Sequence, residues 1–362
     1  MNKVSFYMPL AFAGALVIVL FAVWASAPGN ESRDGEKTAI VANTAGAPTA
    51  STDSSGASRG IDEPPGHASA FSNGVQPSGT VAIAAATASS AALSADSPAP
   101  RPREYNLHPK TVRYRDKVLV LMYHHIDERE SMVTIAPSKF RDHMKAVLDS
   151  EYNVIPMEAY IDFMKHGKPV PPNAVVVTFD DGYESFYTQA FPVLKELGIV
   201  ATNFVVVSYV DTDYPKLPFL TWKQIGEMKR AGMSFYSHSY DLHNKKPDAS
   251  GSDQPAMTQR RAKPRANRLE TDTEYKERVV ADLLLAEQQL RDHLGNQEPM
   301  LCFPFGAYSD TVVRLANEIG IDIVFTIKEG INTRETREIM RINAGVPYLS
   351  AEGLVARMNK FK

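Results

Sequence analysis

Cysteine is nearly missing from this chain of 362 residues: Cys302 stands alone, so no intramolecular disulfide can form. Cysteine usage therefore neither requires nor excludes an oxidising compartment. An excess of positive charge is missing too. With 39 Lys and Arg against 42 Asp and Glu, the formal net charge is -3 and the pI about 6.3. That leaves no basic field of the kind that draws a protein to nucleic-acid phosphates, and no nucleic-acid partner is expected. No internal repeat of fixed period is present. What remains, 44% hydrophobic and 22% charged, suits one large domain with appendages.

Residues 6–27 read FYMPLAFAGALVIVLFAVWASA, an uncharged run preceded by Lys3. Crossing the hydrocarbon core of a bilayer takes about 20 apolar residues, so the run is long enough. Lys3 before it and Glu31, Arg33 and Asp34 after it favour a cytoplasmic N-terminus. Ala25-Ser26-Ala27 also has the form of a signal-peptide cleavage site, although Pro28 would follow the cut and the run is long for a signal peptide. Residues 1–27 are thus expected to be a membrane anchor or a signal segment. Either reading exports the protein: as a single-pass cell-membrane protein with its catalytic domain outside, or as a secreted one.

Large apolar residues are scarce over 28–102, where Ala, Ser, Gly, Thr and Pro dominate and Phe71 stands with a few Val and Ile. Such a segment cannot bury enough surface to offset its ordering entropy. A disordered linker over 28–109 is expected, stiffened at Pro98, Pro100 and Pro102.

From 110 onward short apolar runs alternate with amphipathic stretches. Runs at 117–123, 174–179, 201–207 and 233–237 predict buried strands, as do 300–303, 322–326 and 339–342. Helices are predicted over 137–149, 157–165, 186–197 and 221–231. A long one is predicted over 272–294, where Thr271 and Glu274 have capping-box spacing and Gly295 closes it. Alternation of this kind implies parallel strands with crossover helices, hence an α/β domain over 110–362 with its chemistry at the strands' C-terminal ends. Residues 245–268 are basic, lack periodicity and are expected to form a loop that contacts an anionic polymer or is simply solvated.

Three clusters then fall where predicted strands stop. Thr178-Phe179-Asp180-Asp181-Gly182 sets two carboxylates side by side. Adjacent strand residues face opposite ways, so the two can hold different tasks. Their repulsion resists ionising both unless a cation or proton intervenes. His238 and His243, in Ser237-His238-Ser239-Tyr240-Asp241-Leu242-His243, have the spacing to converge on one cation from a turn. Imidazole suits zinc and its neighbours, and two rings with one carboxylate would leave coordination positions open, as a catalytic metal needs. Met122-Tyr123-His124-His125 ends the first strand, so one histidine is expected to enter the site while the other packs.

Together these motifs resemble those of the NodB-type polysaccharide deacetylases, carbohydrate esterase family 4, and the early Tyr123-His124 resembles the permuted motif order of the poly-N-acetylglucosamine deacetylase branch. The resemblance spans about 117–362. It implies a distorted (β/α) barrel and removal of N-acetyl groups from a polymer such as poly-N-acetylglucosamine. It also implies Asp180 as base, Asp181, His238 and His243 as ligands of one divalent metal, and His124 as acid. The metal expected is zinc, with cobalt, nickel and iron as alternatives. Phe303-Pro304-Phe305-Gly306 resembles the family's third motif, which implies the Phe305 N–H as oxyanion donor. Two departures stand out: Cys302 replaces the motif's arginine and Phe305 its tyrosine. Arg341 is the candidate to replace the lost guanidinium, against a plain ion pair. Trp222, Tyr183 and Tyr308 either stack on sugar rings or pack. Peptidoglycan, chitin oligomers and acetylated xylan are alternative substrates, and a noncatalytic glycan-binding protein is the alternative class. A monomer is expected.

Overall fold

The computed structural model describes residues 103–212, 217–248 and 250–362. The expected anchor and nearly all of the expected linker lie outside these residues. Among the described residues no helix is long and apolar enough to cross a membrane.

Nine short strands form one sheet: β1 (Val118–Tyr123), β2 (Asn153–Val154), β3 (Ala174–Phe179), β4 (Thr202–Val205), β5 (Ser234–Ser237), β6 (Met300–Cys302), β7 (Ile323–Phe325), β8 (Glu338–Ile339) and β9 (Ile342–Asn343). Every pairing is parallel, in the order β8-β7-β6-β5-β4-β3-β1-β9, with β2 beside the first half of β3. Parallel neighbours need crossovers, and six helices supply them among the described residues: α1 (Pro137–Asp149), α2 (Met157–His166), α3 (Phe191–Leu197), α4 (Trp222–Arg230), α5 (Asp272–Leu294) and α6 (Asp310–Glu318), while α7 (Ala351–Met358) follows the last strand.

The sequence places α1 and α5 at their observed bounds because both ends are written locally. Pro137 opens α1, and the Thr271–Glu274 capping box opens α5. The helix predicted over 186–197 begins instead with a π turn, Phe186–Ala190, since Pro192 has no N–H to give to the preceding turn.

The run expected as one strand over 339–342 is two. β8 pairs with β7 at one edge of the sheet and β9 with β1 at the other, with Met340 and Arg341 between them. A two-residue step thus links the two edges and turns the Arg341 side chain into the interior, where it is 1% exposed.

Alternation along β1 and β3 separates two cores. Leu119, Leu121, Tyr123, Val175, Val177 and Phe179 join the layer with α1, α3 and α7. Val118, Val120, Ala174 and Val176 face the interior with Phe204, Cys302 and Phe325, and Tyr160, Phe163 and Met164 of α2 belong to the same cluster. Thr178 and Asp180 continue that interior row toward the strand end.

Residues 245–268, expected as a loop, contain two antiparallel ribbons, Lys245–Pro247 with Asp253–Pro255 and Ala262–Lys263 with Arg268–Leu269. Side-chain bonds to α5 substitute for apolar periodicity. Arg278 donates to the carbonyls of Ala256 and Gln259 and to Glu270, Tyr275 donates to the Met257 carbonyl, and Glu274 receives Lys263 and Arg268. Two of the segment's basic residues, Lys263 and Arg268, are therefore paired with Glu274 of α5.

Candidate active site

Each candidate side chain leaves the sheet at a strand's C-terminal end: His124 after β1, Asp180 and Asp181 after β3, His238 after β5, Phe305 after β6 and Arg341 after β8. Phe179 fixes the point where the carboxylates emerge. Its ring is fully buried, with its centroid 5.4 Å from those of Tyr123 and Phe140 and 4.7 Å from that of Phe186.

Asp180 faces a guanidinium. Arg341 donates Nη1–H to Oδ1 at 2.7 Å and Nη2–H to Oδ2 at 2.8 Å, a two-point clamp on a carboxylate that is 2% exposed. The clamp is itself held, because Arg341 Nε donates to the Thr326 carbonyl at 2.9 Å. Burial pushes the Asp180 carboxyl up, but Arg341 outweighs it and holds the group below the ordinary aspartate value. The Cys302 thiol, also buried, donates weakly to Oδ2 at 3.5 Å, and burial drives its own pKa well up, so it is a neutral thiol. His124 Nε2 lies 3.8 Å from Oδ2, with 17% of that side chain exposed. Burial lowers the His124 pKa, and Asp180 only partly offsets this.

Asp181 faces imidazoles. The residue has φ 74 and Gly182 φ 80, a left-handed pair that swings the second carboxylate away from the pleat of β3. A Cβ on Gly182 would also press Val205 at 3.2 Å. Asp181 Oδ1 lies 3.3 Å from His238 Nε2 and 3.2 Å from His243 Nε2. Yet Oδ1 is buried and has no hydrogen bond among the described residues. His238 Nδ1–H donates to the Cys302 carbonyl at 2.8 Å, which leaves its Nε2 lone pair aimed at Asp181. A buried carboxylate oxygen and two imidazole nitrogens thus converge with no hydrogen bond to Oδ1 among the described residues, an arrangement that a cation would resolve. Ligands about 2.0–2.1 Å from a tetrahedral zinc stand about 3.3 Å apart, so the donor set fits a divalent metal. Burial raises the Asp181 carboxyl, and His243 with His238 pulls it well below the ordinary value. Burial lowers the His243 pKa, and Asp181 reverses this to a net increase.

The third motif borders the same space. Phe305 has φ 59, and its ring centroid is 4.3 Å from that of His243, while Lys245 Nζ sits 5.0 Å from the Phe305 ring centre. Gly306 follows at φ 64, where a Cβ would come within 2.4 Å of Ile327, so only glycine fits. His125 turns away from the site: its Nδ1 bonds Ser185 Oγ at 2.9 Å and its ring lies against Tyr183. Tyr308 is buried against Phe303, Trp222 stacks on His293 at 3.9 Å, and Tyr183 stacks on Phe219, so these three aromatics pack on protein rings. No local pattern marks Asp282, in the middle of a predicted helix, yet its carboxylate accepts N–H bonds from the turn that carries His243.

Residues 167–324 match the family model described as polysaccharide deacetylase. Asp180, Asp181, His238, His243 and Phe305 fall inside that match; His124 and Arg341 fall outside it. The chain is 27% identical over 241 residues to the poly-β-1,6-N-acetyl-D-glucosamine N-deacetylase of Escherichia coli K12, covering 62% of this chain and 36% of that protein. It therefore spans little more than a third of that relative's length. A solved de-N-acetylase from Aggregatibacter actinomycetemcomitans is 26% identical, with a TM-score of 0.61 over 67% of this chain and 100% of its own. The BpsB deacetylase domain from Bordetella bronchiseptica is 29% identical, with a TM-score of 0.57 over 64% of this chain and 97% of its own.

Proposed function

We propose, on the premise that this chain carries a polysaccharide deacetylase domain homologous to poly-β-1,6-N-acetylglucosamine deacetylases, that it removes N-acetyl groups from an extracellular polymer of N-acetylglucosamine. The observation that carries the proposal is two adjacent buried carboxylates with opposite company: Asp180 clamped by Arg341, and Asp181 met by two imidazole nitrogens at 3.3 and 3.2 Å.

Asp181, His238 and His243 would hold one divalent ion, zinc before cobalt, nickel or iron by ligand type. When bound, that ion polarises the acetyl carbonyl and acidifies a water molecule. Asp180, kept ionised by Arg341, accepts the proton of the attacking water. The Phe305 N–H donates to the oxyanion that develops on the acetyl oxygen. His124, whose Nε2 lies 3.8 Å from Asp180 Oδ2, donates a proton to the departing sugar amine. Arg341 takes the place of the arginine that the family motif has where this chain has Cys302, reaching the same carboxylate from a different strand end.

Residues 110–362 form the catalytic domain in this reading, with 28–109 as its tether and 1–27 as the anchor or signal that puts it outside the membrane. The chain acts as a monomer. The test is to load the protein with zinc, incubate it with poly-N-acetylglucosamine, peptidoglycan, chitin oligomers and acetylated xylan, and measure released acetate. Release from poly-N-acetylglucosamine is expected. Release only from another polymer would replace the substrate, and no release from any of them by metal-loaded protein would favour the glycan-binding alternative.

A further inference from the structure

Resting on the reading of Asp181, His238 and His243 as a cation site, we infer that Asp282 is a positioning residue that sets the His243 ligand through the backbone of its turn. The chain leaves β5 at Ser237 and must bring both His238 and His243 back to one oxygen of Asp181 within six residues. Ser239 takes φ 77 to do so, a left-handed conformation that costs a side-chain-bearing residue about 1 kcal/mol or more. Such a kink points successive N–H groups in one direction, a concavity that suits an anion.

Four consecutive N–H groups on this turn find acceptors in side chains. Ser239 N–H donates to Ser237 Oγ and Leu242 N–H to Ser239 Oγ, both at 3.0 Å, within the turn itself. The middle two leave the turn. Tyr240 N–H donates to Asp282 Oδ1 at 2.9 Å and Asp241 N–H to Asp282 Oδ2 at 2.8 Å. One carboxylate thus receives two charge-assisted bonds, one on each oxygen, and fixes both the position and the rotation of the backbone just ahead of His243. It does so from a rigid base, because α5 is anchored by buried Tyr275, Val279, Leu283, Ala286 and Leu290. Asp282 is no ligand of the cation site; it acts on the site through the peptide plane.

The test is cobalt(II) titration of the full chain followed by its visible absorption, comparing Asp282→Ala, Asp282→Asn and His243→Ala with the parent. Asp282→Ala is expected to weaken cobalt binding about tenfold or more, the range for partners of metal ligands, and to shift the visible bands. Asp282→Asn, nearly the same shape but with one acceptor oxygen, should fall between and guards against simple unfolding. A residue with only a structural role would lower the melting temperature and leave affinity and spectrum unchanged. The inference is overturned if Asp282→Ala and Asp282→Asn bind cobalt like the parent while His243→Ala does not. If His243→Ala also binds normally, the cation-site reading beneath it falls instead.

Discussion

Asp180 and Asp181 are consecutive and both buried, yet their surroundings handle a buried negative charge in two different ways. Asp180 is met by a permanent cation in a two-point clamp and needs nothing further to stay ionised. Asp181 is met by two imidazole nitrogens at 3.3 and 3.2 Å, groups that carry charge only when protonated, and its Oδ1 has no hydrogen bond among the described residues. Glu287 on α5 marks the reference case. It is buried, its Oε1 has no hydrogen bond among the described residues, and burial raises its pKa to about 7 against an opposing pull from Arg291. The difference separates a carboxylate whose counter-charge is built in from one whose partners are titratable, and the proposed division of tasks between the two neighbours rests on it.

The sharpest break of this contrast is to neutralise one side at a time. Asp180→Asn should lower kcat for acetate release about a thousandfold while leaving metal content by elemental analysis unchanged. His238→Ala should lose metal and activity together. Equal metal loss in both variants would mean that the two carboxylates share one task.

Next in size is Arg341→Met, which leaves Asp180 buried without its partner. Removing one member of a buried pair costs about 3–5 kcal/mol in denaturant unfolding. The pH consequence has a definite sign. A carboxyl depressed in the folded state contributes stability that is present above its unfolded value and is lost as pH falls through its folded value. Without Arg341 that stability disappears, the Asp180 pKa rises, and the acid limb of kcat/KM should move to higher pH. Adding Cys302→Arg to Arg341→Met brings a guanidinium to the carboxylate from β6 and should recover part of the loss. An acid limb that stays in place in Arg341→Met would remove the guanidinium from the account.

Glu287→Gln tests the uncompensated case. A raised acid pKa means that folding favours the protonated form, so stability should fall as pH rises from the ordinary glutamate value of 4.5 toward about 7. The difference amounts to about 3 kcal/mol, and the glutamine variant should be more stable than the parent by about that much above pH 7. Parallel stability curves for the two proteins between pH 4 and pH 8 would show that Glu287 is solvated or paired.

How far the site could be read from sequence follows the reach of each signal. Local signals sufficed for α1, α5 and the strand ends that carry Asp180 and His238, since caps, apolar runs and adjacent carboxylates lie within a few residues. The 339–342 run misled because four apolar-rich residues look like one strand. Only the pairing of β8 with β7 and of β9 with β1 reveals the break at Arg341. The ribbons over 245–269 depend on Arg278, Tyr275 and Glu274 of α5, and charge matching across such separations leaves no periodic trace. Asp282 is silent for the same reason: its partners are backbone N–H groups, which every residue but proline carries.

The smallest effect belongs to Cys302, and it decides how much of the Asp180 clamp is charge. Its thiol is a neutral donor at 3.5 Å from Oδ2, whereas the Arg341 nitrogens sit at 2.7 and 2.8 Å. Sulfur is a weak donor, so Cys302→Ala should cost roughly 1 kcal/mol of stability for the small void and less than about threefold in kcat/KM. Cys302→Ser, with a stronger donor on a shorter arm, should match the parent in rate. If instead Cys302→Ala lowered kcat/KM as far as Arg341→Met does, the position where the family motif carries arginine would still govern the base, and the guanidinium arriving from 341 would be structural support alone.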